Sequence, residues 1–387
     1  IEAEVIGMKA AGTDTMKNEI KYEKSELELM TTYQLREICR REKIMNGVIH
    51  PLDKEELIQS IMRYMGKRQD FFICDKKKEG EERVEEFLKK TRIVIKPCKE
   101  LYCQSQILAY EGLSIEYYDG YTIPYKKELS GTNAFLMGSD MTLCAILNLK
   151  EHGGRQEKLY LTKAAELETR ETQRKDYRIF CMGRQTSESL YHLYYGEHTI
   201  LPEHIEVYSI PLIDFVVRKP VTLMLPMAID FGSVNTTAGV YLDSAYFENV
   251  GEQAAVKNCR ENEINYTAFE DGNGESMLLP SVIGVLAVEE EDYKLLFGYD
   301  AIRLANASYV DEGFCVFYDV KRWIGEYEKE EEIVDRQGRR RLVKRAEILR
   351  RFFLYIIRKT ENRFKCRISQ VHISSPVKQK HYFRRMF

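Results

Sequence analysis

The sequence predicts a multidomain α/β protein in three parts: a small helical module near its start, a β-rich middle, and a mixed lobe at its C-terminal end. Three observations carry this expectation. The chain has 387 residues, 44% hydrophobic and 31% charged, enough for two or three ordinary cores under a hydrated surface. Apolar residues recur at helical spacing within 29–68, then from Arg92 to about Leu223 in short runs punctuated by glycine. Beyond Leu223 an apolar strand–turn–strand pattern is followed by a wide helical stripe of Ile348, Leu349, Phe352, Phe353, Ile356 and Ile357.

Residues 1–28 are polar and show no sustained period, which predicts disorder. Thr31 followed by Gln34 is a capping-box pattern, and Leu35, Ile38 and Cys39 then fall on one helical face. Gly47 and Pro51 break the chain. Asp53 with Glu56 repeats the cap, and Leu57, Ile58, Ile61, Met62 and Met65 supply a second apolar face. The 29–68 unit is thus helix, extended loop, helix. Residues 69–222 form the β-rich part. Glu81 to Lys90 predicts a helix burying Val84, Phe87 and Leu88. Strands are expected at Ile93–Ile95, Ile107–Tyr110, Ser114–Tyr118, Thr142–Leu147, Lys158–Leu161, Tyr177–Cys181 and Ile205–Ile210, with a helix over Ser187–Tyr195. This part carries no catalytic motif and reads as a binding or spacer domain.

The segment 223–387 is the most legible. An apolar run, Leu223 to Ile229, ends at Asp230. Phe231-Gly232-Ser233-Val234-Asn235-Thr236-Thr237 follows, then a second apolar run through Gly239 to Leu242. That pattern predicts a β-hairpin. A backbone that cradles phosphate needs N–H groups pointing at it and no side chain in the way; Gly232 allows that approach. Ser233, Asn235 and Thr236 are short and polar, able to donate to phosphate oxygens or to hold the turn. A strand-end carboxylate such as Asp230 suits hydrated magnesium, which takes few protein ligands. Read alone, the same residues equally make an ordinary hairpin turn.

The string Asp230 to Thr236 resembles the first phosphate motif of the actin, sugar-kinase and heat-shock chaperone superfamily. Downstream, Asn273-Gly274-Glu275, Leu279-Pro280-Ser281-Val282-Ile283 and Phe297-Gly298-Tyr299-Asp300-Ala301 resemble the next strands and helix of the DnaK-type chaperones. Val316-Phe317-Tyr318-Asp319-Val320-Lys321-Arg322-Trp323-Ile324-Gly325 is similar to a signature of that family, and Val371-His372-Ile373-Ser374-Ser375-Pro376 with Arg384 resembles its proline switch segment. Order and spacing agree over about 160 residues. The resemblance implies a partial actin-like (ribonuclease H-like) ATPase lobe over 223–387, with ATP and magnesium as cofactors. It implies that Asp230 orients hydrated magnesium, that Gly232, Ser233, Val234, Asn235 and Thr236 hold phosphates, and that Lys321 reaches the γ-phosphate. Val234 departs from the pattern, since these chaperones usually carry a hydroxyl residue there. The resemblance also places a second phosphate motif, the adenosine pocket and a second lobe beyond Phe387. The chain opens on Ile1 and closes on Phe387 after a strand-like run, so a fragment is expected, with Met16 a candidate start; hydrolysis is then expected of the longer protein.

The unit Met30-Thr31-Thr32-Tyr33-Gln34-Leu35-Arg36 with Lys54-Glu55-Glu56-Leu57-Ile58 resembles SAP-type or Rho N-terminal modules, which often bind DNA or RNA. Arg36, Arg40, Arg41, Lys43, Lys54, Arg63, Lys67 and Arg68 could meet phosphates. Glu37, Glu42, Asp53, Glu55 and Glu56 offset them, so protein docking stays an alternative. The alternating charges around Glu328–Glu332 and Arg339–Arg341 read as a solvated hairpin, Glu332–Val334 with Leu342–Val343, rather than a nucleic-acid patch. A net charge of −3 points to neither nucleic acid nor membrane. The longest apolar run, Leu279 to Val288, is far short of the ~20 residues a bilayer needs. The nine scattered cysteines form no Cys-x-x-Cys pair and the histidines no metal spacing, so reduced thiols and a cytoplasmic location are expected.

Overall fold

The computed structural model describes residues 22, 27, 29–42, 53–65, 71–103, 106–152, 157–250, 256–271, 274–306, 315–335 and 338–374. The expectations for 1–21, 23–26 and 28, for Lys43, Gly47, Pro51, Lys67 and Arg68, for the pair Gly153-Gly154, and for Asn273, Ser375, Pro376 and Arg384 lie outside the described residues, as do the side chains of Arg63 and Met65. The protein is mixed α/β, about 30% helix and 36% strand, so both periodicities seen in the sequence are realised. It divides into two compact units, 1–69 with 307–309, and 70–306 with 310–387. Among the described residues no helix is long and apolar enough to cross a membrane.

In the first unit, α1 (Thr32–Arg41) and α2 (Lys54–Met65) are both started by reciprocal caps. The Thr31 N–H donates to Gln34 Oε1 at 2.9 Å while the Gln34 N–H donates to Thr31 Oγ1 at 3.3 Å. Asp53 and Glu56 do the same, both bonds at 2.9 Å. Each cap satisfies two of the amide donors that a helix start leaves bare. Leu35, Ile38, Cys39, Leu57, Ile58 and Ile61 close on Leu27 as a small core.

The second unit begins with α3 (Gly80–Lys90), β1 (Arg92–Lys96), β2 (Gln106–Tyr110), β3 (Thr122–Pro124), β4 (Thr132–Gly138), β5 (Leu143–Lys150), β6 (Lys158–Thr162) and β7 (Tyr177–Met182). Helix α4 (Arg184–Tyr195), β8 (His204–Leu212) and β9 (Asp214–Arg218) complete its β-rich part. Seven strands run in the order β1-β8-β7-β4-β5-β6-β3 as a curled half-barrel, antiparallel except for parallel β1 and β8. Strand β4 is buried at every position because both faces are covered. One face packs Phe135, Ile146 and Phe180 against Val84, Leu88, Leu190 and Tyr194 of α3 and α4. The other packs Ala134, Leu136 and Leu147 against Ile107 and Phe215 of the parallel pair β2–β9. The expected strand at Ser114–Tyr118 does not form. Ile115 makes a single bridge to Lys163, and Tyr117–Asp119 turn into a 3-10 helix. There Asp119 Oδ2 accepts the Glu116 N–H at 2.8 Å, a local bond that competes with strand pairing.

The remainder comprises β10 (Val221–Leu223), β11 (Met227–Phe231), β12 (Asn235–Leu242), α5 (Ser244–Val250), β13 (Glu263–Tyr266), β14 (Phe269–Glu270), β15 (Glu275–Ser276), β16 (Leu279–Pro280), β17 (Ile283–Val288), β18 (Tyr293–Phe297) and α6 (Tyr299–Asn306). It ends with β19 (Val316–Phe317), a 3-10 segment Val320–Glu326, β20 (Glu330–Val334), β21 (Arg340–Lys344), α7 (Arg345–Phe364), β22 (Cys366–Ile368) and β23 (Val371–Ile373). The run expected as one strand from Leu223 is split. Strand β10 pairs with β22, the chain breaks before Pro226, and β11 pairs with β12 and β23. Proline has no N–H to give a ladder, so the split falls beside it. The hairpin expected around Asp335–Gly338 is β20–β21. The helical stripe is α7, whose Ile348, Leu349, Phe352, Phe353 and Ile356 are buried with Met227, Ile229 and Phe231 of β11. Alternate β11 residues Ala228 and Asp230 face outward.

The two parts of this unit meet at the end of α7 through polar contacts. Lys365 Nζ donates to Asp119 Oδ2 at 2.7 Å, with side-chain exposures of only 3% and 4%. Tyr117 Oη donates to Glu275 at 2.5 Å, and Arg363 meets the same carboxylate at 2.9 and 3.1 Å. Burial and that carboxylate push the Tyr117 phenol well above its ordinary range.

Candidate functional site

The turn joining β11 to β12 gathers six of the seven residues singled out in the sequence. Pairing of Asp230 with Thr237 and of Phe231 with Thr236 leaves Gly232 to Asn235 as the connection. A side chain at Gly232 would start 2.2 Å from the Asn235 carbonyl oxygen, so the tight return of the chain requires glycine there. The tip is exposed at Ser233, Val234 and Asn235; Val234 is 74% accessible. The backbone N–H groups of Gly232, Ser233 and Val234 meet no acceptor among the described residues.

Two serines hold this turn from behind. Ser281 Oγ lies 2.8 Å from both the Gly232 carbonyl and Thr236 Oγ1, and the Ser281 N–H donates to the Val234 carbonyl at 2.8 Å. Thr236 is fully buried. Of the two roles open to it in the sequence, holding the turn is the one its geometry fits. Ser374, just past β23, donates through Oγ to Asp230 Oδ1 at 2.6 Å and accepts the Phe231 N–H at 3.1 Å. Asp230 is exposed, and its second carboxylate oxygen has no donor among the described residues. In the sequence, Ser281 and Ser374 lie inside motifs that give neither a role. Their only local signal is a serine ending a short apolar strand, and their bonds reach residues 49 and 143 positions away.

Lys321 stands on a different element, the 3-10 segment. Val320, Trp323 and Ile324 around it are buried in the core that holds Phe231. Trp323 packs edge-on to Phe317 at 4.8 Å, and the Arg345 guanidinium lies over its other side, 5.3 Å from the ring centre. Asp319, which starts the segment, adopts a left-handed backbone (φ 52°) and pairs with Arg322. Such a conformation costs a non-glycine residue about 1 kcal/mol or more. Lys321 itself is half-buried and makes no ion pair with a described residue. Among the described residues no hydrogen bond or ion pair joins it to the β11–β12 turn, though neighbours of both are buried in the core around α7.

Among the described residues no three His, Cys, Asp or Glu side chains cluster as a metal cage. Hydrated magnesium does not need one, because it commonly binds through one or two carboxylates and phosphate oxygens. Asp230, oriented by Ser374 with one oxygen uncommitted, fits that requirement. On the first unit, Arg40 pairs with Glu37 at 2.6 Å, and Arg41 with Glu42 at 3.2 Å. Two of the basic side chains considered for nucleic acid thus already have carboxylate partners.

No family model matches the sequence, and no curated protein matches it.

Proposed function

We propose that this protein binds ATP through an actin-type lobe of the DnaK branch and acts as an ATP-driven, chaperone-like protein. The observation that carries the proposal is the β11–β12 turn. It offers three consecutive backbone N–H groups without acceptors among the described residues, at a glycine whose Cβ would lie 2.2 Å from the Asn235 carbonyl oxygen, beside exposed Asp230. Successive N–H groups in a turn make a concavity for anions. Asp230 would hold hydrated magnesium, whose chemistry is to neutralise charge on the β- and γ-phosphate oxygens. The N–H groups of Gly232 to Val234 would orient phosphates, with the exposed side chains of Ser233 and Asn235 as further donors. Lys321, on a segment anchored by Trp323 and Ile324, would place an ammonium where charge gathers as ATP is hydrolysed to ADP and phosphate.

Calorimetry with magnesium-ATP, and single-turnover hydrolysis by the longer protein that carries the second lobe, test this reading. Asp230→Ala is expected to weaken binding only when magnesium is present. Lys321→Ala is expected to slow hydrolysis by about 100-fold with little change in binding. Equal hydrolysis by wild type and Lys321→Ala would sink the motor. Binding without hydrolysis would favour the second reading, a nucleotide-sensing scaffold. That reading is supported by exposed Val234, which gives a phosphate an apolar side chain where a hydroxyl would grip it.

A further inference from the structure

Where the β-rich part meets α7, a cavity of about 320 Å³ opens between three walls. Most of the polar groups lining it are already committed. Arg367 donates to Glu361 at 3.1 Å and to the Glu111 carbonyl at 2.9 Å, while the Ile368 N–H takes the other Glu361 oxygen at 2.9 Å. Gly112, at φ +66°, leaves room for that guanidinium; a Cβ there would lie 2.3 Å from it. Asn362 Oδ1 accepts the Ser114 N–H at 3.0 Å, and its Nδ2 donates to Ser114 Oγ at 3.3 Å.

Two charges remain. Arg358, on α7, and Glu166, in the turn that follows β6, both line the cavity. Neither makes an ion pair with a described residue or with the other. Both sit on rigid supports. Arg358 belongs to a 20-residue helix with its inner face buried. The Glu166 turn is tied down by Lys163, which is 1% exposed and donates to the Ala164 and Leu167 carbonyls at 3.0 and 2.8 Å. An exposed cation and an exposed anion that line one preformed cavity, neither in an ion pair with a described residue, match a ligand that carries both opposite charges. A guanidinium takes a carboxylate through two parallel bonds, and a carboxylate takes an ammonium. The volume lies at the small end for ligand pockets, about 300–1,000 Å³.

We infer that this cavity is a binding site for a small zwitterion of the free α-amino acid class, its carboxylate on Arg358 and its ammonium on Glu166. The site is independent of the nucleotide reading. The test is calorimetric titration of the intact chain with each proteinogenic L-amino acid at millimolar concentration. At least one is expected to give a saturable isotherm. Arg358→Ala and Glu166→Ala should each weaken it at least tenfold, about 1.4 kcal/mol. Both side chains are exposed and form no ion pair with a described residue, so circular dichroism melting should change little in either variant. The N-acetyl derivative of the bound amino acid, which lacks the ammonium, should bind weakly and no longer respond to Glu166→Ala. The methyl ester should lose its response to Arg358→Ala. The inference is overturned if no amino acid binds, if both variants bind as wild type does, or if the blocked derivatives bind equally well.

Discussion

Asp119→Asn removes one charge from the buried pair with Lys365 while nearly keeping the shape. Lys365, 3% exposed, then keeps the Ser114 carbonyl at 3.1 Å, the Tyr118 ring at 5.4 Å and the neighbouring Glu116 charge, but loses its carboxylate partner. Breaking a buried pair in this way typically costs about 3–5 kcal/mol, because the remaining charge stays desolvated. The asparagine oxygen can still accept from the Glu116 N–H and from Lys365, so a loss near 3 kcal/mol is expected. Asp119→Ala also orphans that N–H and belongs at the upper end of the range. Urea unfolding can be followed by the single tryptophan, Trp323, which lies in the core around α7, and by circular dichroism for the whole chain. Coincidence of the two transitions checks that one free energy describes both parts. Asp119→Leu combined with Lys365→Met should recover wild-type stability to within about 1 kcal/mol or exceed it. A loss below about 1 kcal/mol for Asp119→Asn, together with strict additivity of the two apolar replacements, would refute the reasoning.

Burial pushes the Lys163 amine down to about 8, against the opposing charges of Glu166 and Glu81 and with that of Lys365. The unfolded chain, near 10.4, then binds more protons than the folded one between those values. Wild-type stability should therefore rise by up to about 3 kcal/mol from pH 8 to pH 10.5 relative to Lys163→Met; urea midpoints of the two proteins that run parallel across this range would contradict it. Gly232→Ala puts a methyl group 2.2 Å from the Asn235 carbonyl, so the turn must open, at about 1–3 kcal/mol. Thermal melting should show that loss and hydrogen exchange a faster turn, and an unchanged melting temperature would argue against the tight return.

Much of what could be read in the chain was local. The caps Thr31–Gln34 and Asp53–Glu56 span three residues, and both form as their spacing implies. The β20–β21 hairpin and the buried stripe of α7 follow from periodicity, because each element must hide one face. The glycine turn at 232 was equally legible, since the backbone itself demands it. Legibility failed where a competing local bond or a missing donor intervened. Glu116 and Asp119 curl a stretch whose composition reads as strand, and Pro226 divides an apolar run that looks continuous.

The kind of each element and the conformation of one tight turn follow from local sequence, because helix caps, apolar periods and glycine sterics act over a few residues. Tertiary structure alone decided which groups meet. It set Ser374 on Asp230, buried Thr236 behind the turn, paired Asp119 with Lys365 across 246 positions, and placed Arg358 and Glu166 in the lining of one cavity. The reason is physical: a charge finds its partner, or is left without one, according to which strands and helices pack together, and that follows from burial summed over the whole unit.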